Sequence, residues 1–323
     1  MLYYFFAKYP NVLLGLGALT VFVLTAAGLH FFKDKLPADE GRDFAVDGKL
    51  TKGKPRGAGI VFILAFVIGG LLFTPVKLEY VIYVIIVSVE MLTGYMDDAS
   101  NKPWGRLRKG LLDFVVALAL AFTYVHYNGT SISIGLLDLN VTVPEWLFYI
   151  LCVALVWASI NVTNCADGVD GLSGTLVLIT LASFMMADYG RDHFDKFSMS
   201  IVLFATAILA YLWFNAGPSI LMMGDAGSRA MGVFVSIVAL KSGLPILYIP
   251  FALVLILDGG LGLFKVTMIK ITKKNDFMNK IRTPLHDHVR KKVKVAWSNN
   301  QVVTRFAIIQ LIINILVLYI FVR

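Results

Sequence analysis

Charge is scarce in this chain. Asp, Glu, Lys and Arg make up 15% of its 323 residues, against a hydrophobic share of 58%. A soluble domain carries about a quarter charged residues, so a soluble fold is excluded. Cysteine is almost missing as well. If one helix carries both Cys152 and Cys165, they stand ~20 Å apart, beyond the reach of a disulfide. They read as packing residues and say nothing about redox compartment. An internal repeat and a separate soluble region are also lacking, so a single integral membrane domain over 1–323 is expected. The first apolar window does not read as a signal peptide. Its apolar core is too long, and the stronger basic cluster follows it.

What is present is a recurring apolar window of about 20 residues, long enough to cross a hydrocarbon core of ~30 Å. Such windows fall at 11–32, 58–74, 78–96, 109–127, 145–163, 169–188, 198–215, 227–244, 246–269 and 302–322. Helices satisfy their own backbone hydrogen bonds, so the expected fold class is an all-α polytopic membrane protein, a bundle of about ten transmembrane helices. The segment 128–144, "NGTSISIGLLDLNVTVP", alternates and contains Asn-Gly, which predicts a short β-hairpin. Its sequons at Asn128 and Asn140 read as chance matches.

The basic residues orient the bundle. With the N-terminus outside, the inner loops are 33–57, 97–109, 164–168, 216–226 and 270–301, and they hold 20 of the 29 Lys and Arg. The positive-inside rule then places both termini outside the cytoplasm and the hairpin on the outer face. A net charge of +8 gathered on one face suits an anionic substrate or anionic lipid, and equally suits orientation alone.

Four polar clusters interrupt the apolar pattern. Asp97 and Asp98 end the third window. Adjacent helical side chains point about 100° apart, so the two carboxylates grip one metal poorly and suit two separate jobs; a solvated helix end is the plainer reading. In "NVTNCADGVDGLSG", Asn161, Asn164, Asp167 and Asp170 recur every third residue around a helix–turn–helix mouth. Gly168 and Gly171 there leave room for a close approach. Capping of helix ends is the alternative, and a calcium loop is disfavoured by the ligand spacing. In "FNAGPSILMMGDAGSRAMG", Asn215 ends one helix and Gly224-Asp225 opens the next. A glycine-flanked helix start is an anion site, and its aspartate is either an N-cap or a Mg²⁺ ligand. The fourth cluster, "TPLHDHVRKKVK", offers His286 and His288 for phosphate binding, or is a basic juxtamembrane stretch.

On the topology read from charge, all four clusters fall on the same cytoplasmic surface. Together they are the parts of a Mg²⁺-dependent phosphoryl-transfer site. At an interface, such a site meets a soluble nucleotide from one side and a lipid phosphate from the other. A transporter, with Asp258 of "LILDGGLGLF" as its midplane residue and the glycines kinking that helix, is the alternative from another class.

At "NVTNCADGVDGL", "MMGDAGS" and the Asp97-Asp98 pair, the chain resembles the polyprenyl-phosphate N-acetylhexosamine-1-phosphate transferase superfamily, over nearly its whole length. The "TPLHDH" loop resembles the branch whose donor is UDP-MurNAc-pentapeptide. The resemblance implies a ten-helix fold in the bacterial cytoplasmic membrane, with Mg²⁺ as cofactor and a cytoplasmic active site for peptidoglycan synthesis. The implied reaction moves phospho-MurNAc-pentapeptide to undecaprenyl phosphate, giving lipid I and UMP. Transfer of N-acetylglucosamine-1-phosphate or a related sugar phosphate is the alternative. Implied partners are a UDP-linked sugar, undecaprenyl phosphate and the bilayer, with no nucleic acid; a homodimer stays open. By resemblance Asp225 is the magnesium aspartate. Asp97 and Asp98 are the essential pair, with Asp98 expected at the metal–phosphate centre and Asp97 at the lipid phosphate. His286 and His288 are catalytic. Asn161, Asn164, Asp167, Asp170, Asn215 and Gly224 line the nucleotide pocket, and Lys109 lies near the diphosphate. Two departures stand out. Asp287 replaces the middle of three histidines, and a threonine-proline-threonine stretch reads Lys54-Pro55-Arg56.

Overall fold

A computed structural model describes residues 1–6, 8–41, 48, 51–100, 102–134, 139–190, 197–274, 276–291 and 293–321. Of the basic residues that set the expected orientation, Arg42, Lys49, Arg191, Lys196, Lys292 and Arg323 lie outside the described residues.

After a helical turn at Leu2–Phe6, the chain forms α1 (Pro10–Phe32), α2 (Gly59–Phe73), α3 (Leu78–Asp98), α4 (Arg106–Asn128), α5 (Glu145–Ala166), α6 (Leu172–Gly190), α7 (Ser198–Asn215) and α8 (Gly224–Lys241). A bent pair follows, α9 (Pro245–Phe251) and α10 (Leu253–Thr272), then α11 (Leu285–Lys291) and α12 (Asn299–Phe321). Each apolar window therefore carries a helix. Among the described residues, seven helices are long and apolar enough to cross a bilayer, or eight if the bent pair is one span. Ten crossings do not follow from length and apolarity. α2 has 15 residues, and α8 carries Asp225, Arg229 and Lys241.

α8 is the centre of the bundle. Every residue from Gly224 to Leu240 is buried, the mark of a helix enclosed on all sides. It packs on α3, α5 and α2. Small residues permit the approach: a methyl group on Gly59 of α2 would overlap the backbone of Gly227, and one on Gly94 of α3 would overlap that of Asp225. In a membrane, where lipid is as apolar as the helix, such backbone proximity supplies much of the attraction.

The expected hairpin exists as antiparallel β1 (Ser131–Ile134) and β2 (Leu139–Thr142), paired from Ser131↔Thr142 to Ile134↔Leu139. Its Asn-Gly dipeptide is not the hairpin turn. Gly129, at φ 72°, ends α4 by donating its N–H to Val125 O, and the connection 135–138 lies outside the described residues. Ser133 N–H donates to Gly243 O at 2.9 Å. This ties the hairpin to the end of α8 farthest from Asp225.

α9 and α10 meet at 68°. The bend lies at Ala252, beside Pro250, rather than at the glycines that the sequence suggests. Gly259 and Gly260 instead belong to a π-turn, Ile256–Gly260. The backbone groups freed at the bend are satisfied from neighbouring helices. Gln310 of α12 accepts from Val254 N–H at 2.7 Å and donates to Pro250 O at 3.0 Å. Phe251 O accepts from Thr180 and Asn314. A buried polar group left without a partner costs ~1–3 kcal/mol. Gln310→Leu strips two such groups, so the variant is expected to melt at a clearly lower temperature in detergent. A melting curve superimposable on the parent's would show that the bend does not depend on Gln310.

Candidate active site

The first turn of α8 leaves backbone N–H groups that need an acceptor. The acceptor comes from another helix. Asp98, the last residue of α3, takes the N–H of Asp225 at 3.1 Å and of Ala226 at 3.0 Å. Gly224 makes this possible: its φ of +67° suits glycine, and a methyl group there would collide with the Asp98 carboxylate. The anion site suggested by the glycine-flanked helix start is therefore filled by a side chain of the protein. Asp225 makes no capping bond. Its carboxylate points away from the helix end, to Arg56 Nη2 at 3.2 Å and Lys109 Nζ at 2.9 Å.

Arg56 joins the parts. Its Nε meets Asp98 at 2.8 Å, its Nη1 meets Asp39 at 3.2 Å, and its Nη2 meets Asp225. Burial opposes the guanidinium charge, but the carboxylates of Asp98, Asp225 and Asp39 outweigh it and raise the pKa, so the group stays charged. The backbone sets it in place. Arg56 N–H donates to Pro37 O, Met222 N–H donates to Pro55 O, and Ala38 bridges to Pro55. Asp39 is fixed by Thr51 Oγ1 at 2.6 Å and the Gly41 N–H at 3.2 Å.

The two adjacent carboxylates diverge, as their helical spacing demands. The side chain of Asp98 is wholly buried, and both its oxygens are engaged by α8 and Arg56. Asp97 accepts the Trp104 N–H at 2.6 Å and pairs with Lys109. It thereby shapes the turn into α4.

Two cavities flank this cluster. One, of about 110 Å³, is lined by Asn164, Asp167, Asp170, Asn215 and Asp225, and reaches Gly224. The other, about 590 Å³, is lined by Asp97, Asp98, Pro103, Arg106 and Lys109. Arg56 and Asp39 line both.

The remaining sequence-predicted residues are distributed as follows. Asn164 donates to Ser228 Oγ at 2.9 Å. Asn215 accepts from Gly171 N–H and donates to Leu221 O, so it holds two loops together at the cavity wall. Asp170 accepts the Ser219 N–H and lies 3.7 Å from Lys54 Nζ. Asn161 turns to Asp113 at 3.2 Å and to Trp157 O. His286 is buried beneath the 167–171 turn, in space that a side chain on Gly168 would fill. Asp258 accepts from the His286 backbone N–H at 2.7 Å and faces its Nδ1 at 2.8 Å. With Nδ1–H donating to that carboxylate, Nε2 faces the turn. Asp258 thus has a partner in the candidate site, which removes the case for it as an isolated transport residue. His288, in α11, accepts the N–H of Arg282, in the segment leading into that helix, at 3.2 Å. Asp287 is held by Arg290 at 3.4 Å and Arg282 at 3.5 Å.

Arg56, Asp39 and Asp258 are the members that the motifs did not supply. Asp39 carries no signal in the sequence. Arg56 carried one, as a basic residue in a position where the resembling family has threonine.

Among the described residues, no group of three or more His, Cys, Asp or Glu is arranged to hold a metal. Magnesium does not require one, since it commonly takes one or two carboxylates and completes its shell with water and substrate phosphate. Asp225, an oxygen donor on the wall of the smaller cavity, fits that demand.

Residues 80–243 match the family described as Glycosyl transferase family 4. Over 94% of its length the chain is 36% identical to the phospho-N-acetylmuramoyl-pentapeptide-transferase of Treponema pallidum subsp. pallidum, covering 88% of that protein. It is 33% identical to the enzyme of the same name from Dictyoglomus thermophilum, over 81% of this chain and 82% of that protein. With the Fervidobacterium nodosum enzyme the identity is 28% over 79% of each. Asp97, Asp98, Lys109 and Asp225 lie within the matched span, with Asp39 and Arg56 ahead of it, and the chain belongs to glycosyl transferase family 4.

Proposed function

We propose that this protein transfers phospho-MurNAc-pentapeptide from UDP-MurNAc-pentapeptide to undecaprenyl phosphate, giving lipid I and UMP. The observation that carries this reading is the pair of cavities that share Arg56 and Asp39, with Asp225 on the wall of one and Asp98 on the wall of the other. Two anionic substrates can then approach one centre from opposite sides. The smaller cavity, lined by amides and carboxylates, suits the donor. The larger one, beside Lys109 and Arg106 at the end of oily helices, suits the acceptor phosphate on its polyprenyl tail. Ten crossings, with both termini outside the cytoplasm and the site on the inner face of a bacterial membrane, complete the reading. The basic inner loops support it.

In the transfer, an acceptor phosphate oxygen bonds to the donor's sugar-linked phosphorus. The bond from that phosphorus to the bridging oxygen breaks, and UMP leaves with the oxygen. Arg56 and Lys109 are the cations at the junction. Each exchanges a carboxylate partner for phosphate as the substrates enter. Lys109, whose side chain is 28% exposed, is the more accessible of the two. Asp97 keeps it aimed, and Asp98 keeps α8 seated. A magnesium ion held by Asp225 would withdraw charge from the diphosphate. His286, oriented by Asp258, supports the turn that carries Asp167 and Asp170.

Purified protein given undecaprenyl phosphate and Mg²⁺ is expected to release UMP with UDP-MurNAc-pentapeptide and far less with UDP-GlcNAc. The reverse preference would reassign the donor, and nucleotide release without lipid phosphate would point to hydrolysis. Asp225→Asn keeps the helix end intact, because Asp225 is not the cap. The substitution is nevertheless expected to lower turnover ~10³-fold, about 4 kcal/mol of transition-state stabilisation. Near-parental turnover with unchanged magnesium dependence would show that Asp225 does not hold the ion.

A further inference from the structure

A second set of charges lies one to two helical turns below the site. Glu90 of α3, Asp113 of α4 and Arg229 of α8 are all buried. Arg229 Nη2 lies 2.7 Å from Glu90 Oε1 and donates to Asp113 Oδ1. The other Asp113 oxygen accepts from Asn161. Ionised groups at this depth are expensive. Replacing a buried ion cluster by well-packed hydrophobic residues of similar volume is often neutral or stabilising. Stability therefore does not account for this cluster, but its order along the helices does.

Going inward from the site, α4 presents Lys109 and then Asp113, one turn apart. α8 presents Asp225 and then Arg229, also one turn apart and in the same direction. Lys109 meets Asp225, and Asp113 meets Arg229. If α8 slipped by one turn in one direction, Asp225 would face Asp113. If it slipped in the other, Arg229 would face Lys109. Either slip sets like charges together where the dielectric is low. Glu90 holds Arg229 from α3, the helix whose Gly94 receives the Asp225 backbone and whose Asp98 caps α8.

We infer that Glu90, Asp113 and Arg229 are positioning residues that set the depth of α8 against α3 and α4, and so seat Asp225 against Lys109. The effect on turnover rests on the proposed phosphotransfer; the seating of α8 does not. The test uses full-length protein in detergent, comparing the parent, the triple variant Glu90→Met, Asp113→Leu, Arg229→Met, and the single variant Arg229→Lys. The triple variant is expected to melt within about 3 °C of the parent, because its neutral groups replace a costly buried cluster. By hydrogen–deuterium exchange, the Asp225 and Ala226 amides that Asp98 accepts are expected to exchange at least ~10-fold faster in it. Its UMP release is expected to fall ~10-fold or more, with donor KM within about twofold. Arg229→Lys keeps the order of charges and is expected to retain both slow exchange and most of the turnover. Parental exchange in a folded triple variant overturns the inference. So does a triple variant that no longer folds, since the cluster would then be a stability element, and so does Arg229→Lys exchanging as fast as the triple. A parent that releases no UMP counts against the proposed function alone, and the exchange rates still decide the positioning role.

Discussion

A buried helix end cannot leave its first N–H groups without acceptors, and the polar site grows from how α8 meets that demand. Asp98 reaches across from α3 to accept two of them. A carboxylate so deeply enclosed needs a cation, which Arg56 provides. The guanidinium has more donors than Asp98 can use, so it also gathers Asp39 and Asp225. The second oxygen of Asp225 recruits Lys109, and Lys109 recruits Asp97. A chain of alternating charge thus runs from one helix terminus through one loop and three helices. Each member is placed by the one before it.

The same chain explains why two neighbouring aspartates do different work. Both oxygens of Asp98 are engaged, by the first turn of α8 and by Arg56. Asp97 holds a lysine that stays partly exposed beside the larger cavity. Their divergence by about 100° follows from helical geometry, and the structure converts it into a division between a wall and its equipment. Carboxylates at the end of an oily helix are then unsurprising, because the helix end is where water, headgroup and backbone donors meet.

Much of the fold was legible because the apolar windows have the right length and little competing signal. The hairpin was legible from its alternation. The division between spanning helices and shorter ones was not, since α2 and α8 differ from the others in length or charge rather than in pattern. Within the site, Asp97, Asp98, Asn164, Asp167, Asp170 and Asp225 were visible as polar residues in oily surroundings, and Lys109 only through the family resemblance; the fold brings them around two adjoining cavities. Asp39 was invisible because one aspartate in a polar loop looks like any other. Asp258 misled because a carboxylate within an apolar window suggests a transport path until its partner is known. That partner, His286, lies in α11, 28 residues further along the chain, and only the tertiary fold brings them together. Asn161 was grouped with Asn164 by spacing, yet three residues of helix turn it towards Asp113 instead.

The shortness of α2 has a further consequence. Its 15 residues rise only ~22 Å, less than a hydrocarbon slab of ~30 Å. Its first turn follows directly on Arg56. If α2 spans the bilayer, a mismatch of this size is absorbed by thinning of the bilayer where the helix begins or where it ends. If it is absorbed at the beginning, the bilayer thins around Arg56 or headgroups sink to meet it. A phosphate tethered to a membrane-bound tail would then reach the guanidinium without its tail leaving the oily phase.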